Sequence, residues 1–202
     1  VLPLEVLQEA QASLVEYGKT GMSLLEASHR GKDYEAVHNE AIESLKKLLG
    51  LGAAVSRDRH FEKNVLYDFD SGALRASRRA LRLRTTGKRA TLTFKGEPQK
   101  SRSFKVREEF ETQVRHPREM RRILKALGLK EVFTYGKHRT VLRKSRLTLC
   151  IDETEAGNFL ELEGERHEIV KFARALKVRR TEFITRSYIE LLAGREQEGG
   201  PD

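Results

Sequence analysis

The stretch Arg79–Lys95, RALRLRTTGKRATLTFK, decides the fold. Side chains alternate across a strand, so residues two apart share a face. Leu81 and Leu83 therefore lie on one face, with Arg82 and Arg84 on the other. Beyond a turn at Gly87-Lys88, Leu92 and Phe94 oppose Thr91, Thr93 and Lys95. The reading is two strands, Leu74–Arg84 and Ala90–Lys95, each with one mainly apolar face and one mainly polar or charged face.

The same two-faced pattern continues outward. Phe61–Asp68 reads as a short strand. In Phe104–Val114, Val106 and Phe110 oppose Lys105, Arg107, Glu109 and Glu111. Lys137–Arg143 places Lys137 and Arg139 together. In Arg146–Asp152, Leu147, Leu149 and Ile151 oppose Cys150 and Asp152. In Asn158–Glu163, Leu160 and Leu162 oppose Glu161 and Glu163. Pro117 opens a helix with Met120, Ile123, Leu124 and Leu127 on one face, and Gly128 closes it. A second helix from about Glu165 carries Ile169, Phe172, Ala173 and Leu176. Phe183–Leu192 reads as a strand running into a short helix, and 194–202 as a polar, glycine-rich, flexible tail. Ahead of the strands, Leu4–Tyr17 and Asp33–Leu49 read as amphipathic helices. The fold class is α+β, with an antiparallel sheet and helices packed outside it.

Two arrangements suit a sheet with one charged face. The charges can simply be solvated, which is the common case. Alternatively the sheet closes into a barrel whose lumen they line. The signs are grouped by strand: bases dominate Arg82–Arg107 and acids Asp152–Glu163. A lumen of that kind would hold a polyphosphate on its basic wall and a divalent cation on its acidic wall. Arginine forks match phosphate oxygens, and lysine adds a point charge. Magnesium and manganese need only one or two carboxylates when substrate phosphates and water complete the shell. Glu161 and Glu163 share a strand face and can share one such ion.

The charge balance agrees. Residues 1–52 hold 5 basic and 8 acidic side chains, whereas residues 53–202 hold 34 and 22, so the positive excess sits entirely in the second part. A polyanionic partner is the plain inference. Aromatic residues make up 7% and form no interleaved stacking surface, which counts against RNA or other nucleic acid as that partner. No apolar run is long enough to span a membrane. One cysteine, Cys150, allows neither an internal disulfide nor a zinc cluster, so a cytoplasmic location is expected.

The motifs RALRLR, LTFKG, KVREEFET, YGKHRT, IDETEAGNFLELEG and RSYIELL, in this order and spacing, resemble the CYTH domains. These are the triphosphate tunnel metalloenzymes, among them class IV adenylyl cyclases, thiamine triphosphatases and inorganic tripolyphosphatases. HFEKNVLYD, residues 60–68, looks like the family's second strand. The resemblance covers residues 53–193 and implies an antiparallel β-barrel, or tunnel. It implies phosphate binding by Arg82, Arg84, Lys95, Arg107, Lys137, Arg139 and Arg186. Glu161, Glu163 and Asp152 would bind Mg2+ or Mn2+. Glu109, Glu111 and Asp152 would serve as further tunnel carboxylates, as metal ligands or as partners fixing the basic side chains. The implied substrate is tripolyphosphate, a nucleoside triphosphate or thiamine triphosphate. The implied activity is metal-dependent cleavage by a triphosphatase or adenylyl cyclase. The rival is a binding module that holds polyphosphate, nucleotide or RNA without cleaving it.

The chain departs from the family in one respect. CYTH domains open on a strand carrying E-x-E-x-K, and no E-x-E-x-K occurs here. This predicts a tunnel missing its first strand, open beside Phe61–Asp68 or partly covered by Ala53–Arg59, with impaired metal binding and turnover. Residues 1–52 instead resemble the N-terminus of phosphoserine aminotransferases, through LPLEVLQEAQASL, GMSLLEASHRGKDY and SLKKLLGLG. That resemblance makes His29 and Arg30 counterparts of substrate-binding residues. The segment that would bear the pyridoxal phosphate lysine has no counterpart, so an active aminotransferase is not expected.

Overall fold

A computed structural model of the protein describes residues 34–99, 106–154, 157–178 and 183. The expected helix Leu4–Tyr17, the pair His29 and Arg30, Lys105, Arg186 and the C-terminal tail lie outside the described residues. The described chain divides into two compact units, one holding residues 34–61 and 137–178 and the other residues 62–99, 106–136 and 183.

Helix α1, Tyr34–Gly50, comes first. Gly52 ends it at φ +80°, where its N–H reaches Leu49 O at 2.8 Å and that of Ala53 reaches Leu48 O at 3.1 Å. Glycine takes this left-handed position without the Cβ penalty. Strand β1 then runs Ala54–Phe69, much longer than the expected Phe61–Asp68. Asp68 ends it by accepting hydrogen bonds from the backbone N–H groups of Phe69 (2.7 Å), Leu74 (2.9 Å) and Arg75 (2.9 Å). Those bonds fold Ala73–Ala76 into one helical turn, α2, where sequence periodicity predicted the start of a strand.

Strands β2 (Ala80–Thr86) and β3 (Arg89–Lys95) form the expected hairpin, closed by Gly87-Lys88 with Gly87 at φ +55°. A positive φ there suits the tight turns that match strand twist. Strand β4 is Glu109–Val114, and helix α3 is Pro117–Ala126. Strand β5, Leu129–Lys144, starts well before the expected Lys137. Strands β6 (Leu147–Thr154) and β7 (Gly157–Glu163) and helix α4 (Arg166–Ala175) follow.

The strands form one seven-stranded antiparallel sheet in the order β4-β3-β2-β1-β5-β6-β7, with β4 and β7 outermost. This corrects the expectation of an open edge beside Phe61–Asp68. That segment lies inside β1, between β2 and β5, so its backbone groups have neighbours on both sides.

In the second unit the apolar face buries Val65, Tyr67, Leu83, Ala90, Val114, Leu124 and Leu129, with Leu81, Leu92 and Met120 packed against them. α3 thus covers the face away from the arginines. In the first unit α1 packs on β6 and β7 and buries Ala41, Leu45, Leu48 and Leu49. Leu142, Leu149 and Ile151 of the sheet and Ile169, Phe172 and Leu176 of α4 are buried as well. In both units burial removes apolar side chains from one sheet face, and the charged positions singled out in the sequence lie on the other.

Candidate functional site

In the second unit, register sets the polar face in rows. Asn64 pairs with Arg84, and Arg84 with Thr91. Arg82 pairs with Thr93, and Thr93 with Glu111. Lys95 pairs with Glu109. Directly opposed residues share a face, so Arg82, Arg84 and Lys95 stand together, as the alternation predicted.

Their partners differ. Arg84 donates from Nε to Asn64 Oδ1 (3.1 Å) and from Nη1 to Glu62 Oε1 (3.2 Å). Lys95 Nζ donates to both oxygens of Glu109, at 2.7 and 2.9 Å, and Arg107 Nε lies 3.5 Å from Glu109 Oε1. Burial, and then the positive charge of Arg82, push Lys95 down to about 8. Burial alone would raise Glu109, but the Lys95 hydrogen bond and charge hold it below the usual carboxylate range.

Arg82 stands apart. It is 9% exposed, yet among the described residues no carboxylate lies within ion-pair distance of it. Its Nη2 donates over 3.4 Å to Thr93 Oγ1, and its Nε has no hydrogen-bond partner. Thr93 Oγ1 in turn donates to Glu111 Oε2 at 2.8 Å.

In the first unit, Lys137 and Arg139 of β5 share a face with Cys150 and Asp152 of β6 and Glu161 of β7. Asp152 is fully buried and accepts from Lys137 Nζ (2.8 Å), Arg139 Nε (2.6 Å) and Arg139 Nη2 (2.5 Å). Arg139 Nη2 also reaches Glu161 Oε2 at 2.5 Å. Burial opposes charge on all three central groups. It leaves Lys137 below the usual lysine value, while the Arg139 hydrogen bonds keep Asp152 ionised and Asp152 holds the Arg139 proton more tightly. Burial pushes the Cys150 thiol up to about 12, so it is not a nucleophile near neutral pH.

The donor set for a metal ion is narrower. Glu161 and Glu163 pair with Cys150 and Thr148 and so point to one face of β7; Glu163 is exposed and the Glu161 side chain is 33% exposed. These hard oxygen donors fit magnesium or manganese. Among the described residues no three His, Cys, Asp or Glu side chains converge to complete such a site.

Sequence reading missed several of these groups. Glu62 and Asn64 are 1% and 0% exposed, and their E-x-N spacing is the same in-phase signal that singled out Glu161 and Glu163. A second buried cluster lies on the helix-covered face of the first unit. Arg59 donates to Glu153 from Nε (2.8 Å) and Nη2 (2.9 Å), and His38 Nδ1 of α1 lies 3.2 Å from Glu153 Oε2. His138 stands opposite Glu153 in register and packs on Phe61, with ring centroids 5.2 Å apart. Burial, and then Arg59, push His138 down to about 4. This cluster ties α1 to the sheet, and no alternation of hydrophobicity marks it.

Comparison with known proteins places the chain. The CYTH domain model matches residues 35–188. A candidate adenylate cyclase of Methanocaldococcus jannaschii is 32% identical over 164 residues, covering 76% of this chain and 91% of that protein. The chain belongs to the CYTH family. A solved structure from Pyrococcus horikoshii OT3 superposes with a TM-score of 0.65 at 26% identity, over 75% of this chain and 92% of that one. A candidate adenylyl cyclase from Hippeastrum, described as having a dominant triphosphatase activity, shares the fold with a TM-score of 0.58 at 20% identity, over 77% and 90%. Separately, 49 residues, 24% of this chain, are 65% identical to phosphoserine aminotransferase of Niallia circulans. The match spans only 14% of that enzyme's length. Among the described residues no helix is long and apolar enough to cross a membrane.

Proposed function

We propose that this protein binds a triphosphate together with a divalent cation and cleaves it, as a triphosphatase or an adenylyl cyclase. Arg82 carries the reading. A buried charge without a partner is unfavourable unless a ligand compensates it. Of the six described cations expected to grip phosphate, Arg82 alone has no carboxylate at ion-pair distance among the described residues. A phosphoryl oxygen would supply the missing partner.

The family resemblance assigns roles to the other residues of each unit. Arg84, Lys95 and Arg107 add positive charge in the second unit, and Lys137 and Arg139 do so in the first. Arg186 is assigned the same role by its motif alone. Asp152 fixes Lys137 and Arg139; Glu109 and Glu111 hold Lys95 and Thr93. Glu161 and Glu163 would hold Mg2+ or Mn2+, with water and substrate phosphates completing its shell. That ion, when bound, would stabilise negative charge on the phosphate oxygens. Because E-x-E-x-K is missing, metal affinity should be weak and turnover slow.

Non-catalytic binding has one observation in its favour: Asp152 and an oxygen of Glu161 are already committed to Arg139. Incubation with tripolyphosphate, ATP or thiamine triphosphate and manganese separates the readings. Phosphate release marks a triphosphatase, cyclic AMP a cyclase, and tight binding without product a binding module. Arg82→Gln should weaken tripolyphosphate binding at least about tenfold, the scale of a lost charge-assisted hydrogen bond. Unchanged affinity in that variant would refute the phosphate reading.

A further inference from the structure

We infer that Thr93 positions Arg82, acting as a neutral spacer that orients the guanidinium while leaving its charge for the ligand's phosphate. The inference rests on the reading of Arg82 as a phosphate seat.

The geometry is a row of three residues across three strands. Arg82, Thr93 and Glu111 are directly opposed on β2, β3 and β4. Thr93 is fully buried. Its single hydroxyl hydrogen goes to Glu111 Oε2 at 2.8 Å, which turns an oxygen lone pair toward Arg82 Nη2 at 3.4 Å. A hydroxyl that donates to a carboxylate is a better acceptor. Among the described residues Glu111 makes no direct hydrogen bond or ion pair with Arg82, and Thr93 is the hydrogen-bonded link between them.

The neighbouring rows show what the spacer avoids. Arg84 is paired directly with Glu62, and Lys95 directly with Glu109. An incoming phosphate at either cation competes with a carboxylate already in place. At Arg82 the corresponding place is taken by a hydroxyl, which fixes direction without cancelling charge. The Arg82 site is thereby preorganised and still fully cationic, the combination that favours anion binding. Sequence alternation put Thr93 on the polar face but gave no reason to single it out.

The test is tripolyphosphate affinity by calorimetry on the full chain. Thr93→Val keeps shape and removes the hydroxyl, and should bind about tenfold more weakly. Thr93→Ser should stay within about twofold of the unmodified protein, since the relay is retained. Glu111→Ala, on an exposed outermost strand, should lose about threefold because the hydroxyl is no longer oriented. In an Arg82→Gln background, Thr93→Val should change affinity less than about twofold, because its only effect runs through Arg82. If Arg82→Gln itself binds normally, the phosphate seat is wrong and this inference falls with it. If Arg82→Gln is weak while Thr93→Val and Glu111→Ala bind normally, the seat stands and the spacer role alone is overturned. Additive losses in the double variant would likewise overturn it. Should Thr93→Val fail to fold, Glu111→Ala and the serine variant decide the matter.

Discussion

Lys95 shows how a candidate phosphate-binding cation records its surroundings. Its value of about 8 comes from burial and from Arg82 beside it, with Glu109 pulling the other way. The sign follows from linkage. Below about pH 8 the ammonium is charged in both the folded and the unfolded chain. From about 8 up to the ordinary lysine value of 10.5, the unfolded chain keeps a proton that the folded chain has released. Lys95 therefore destabilises the fold at neutral pH, and that effect fades as pH rises through this window. An anion bound among these cations favours the charged form, so the complex should take up part of a proton at pH 8.5. Calorimetry of tripolyphosphate binding in two buffers of different ionisation enthalpy measures this. Lys95→Met should abolish the uptake; equal uptake in both proteins would show that another group titrates. Alternation put Lys95 on the polar face, and the CYTH resemblance made it a candidate phosphate-binding residue. Its depressed value was not legible, because it depends on burial and on how close Arg82, Glu109 and Arg107 come, which only the fold sets.

At the scale of elements, periodicity identified the strands and misjudged where β1, β2, β4 and β5 begin. β2 and β3 were legible because Leu81, Leu83, Leu92 and Phe94 alternate with polar residues. The first half of β5, Leu129–Gly136, was not, because Leu129, Val132, Phe133 and Tyr135 do not keep a period of two. The start of β2 was placed too early because Leu74 looked in phase, whereas the three backbone hydrogen bonds of Asp68 wind that segment into α2. α1 was read correctly as an amphipathic helix, and what it packs against was not. Leu48 is 1% exposed, in the helix that packs on β6 and β7. Leu48→Ala removes most of that buried side chain and should cost about 2–5 kcal/mol, the usual range for such cavities. Chemical denaturation followed by circular dichroism reads the loss. A change under about 0.5 kcal/mol, the level of ordinary surface substitutions, would show that α1 is not part of this core.

For the whole molecule, the question is where the CYTH domain begins. Two resemblances meet in α1. The aminotransferase-like motif SLKKLLGLG runs to Gly52, while the CYTH match starts at residue 35. Helical periodicity requires a helix to bury its apolar stripe but does not name the surface that receives it. From the sequence alone the two resemblances placed the junction within residues 40–58, with the CYTH-like region taken from residue 53. In the structure α1 lies on β6 and β7, and His38 reaches the buried Glu153–Arg59 pair. Removing α1 would uncover part of β6 and β7 and deprive Glu153 of its His38 contact. We predict that a chain starting at Tyr34 keeps cooperative thermal unfolding and the tripolyphosphate affinity of the full chain. A chain starting at Ala53 should lose both. Circular dichroism melts and calorimetry on the two truncations, run beside the full chain, decide the boundary. Native-like unfolding of the chain starting at Ala53 would return α1 to the aminotransferase-like segment. Loss of folding in the chain starting at Tyr34 would instead make residues 1–33 part of the folded domain.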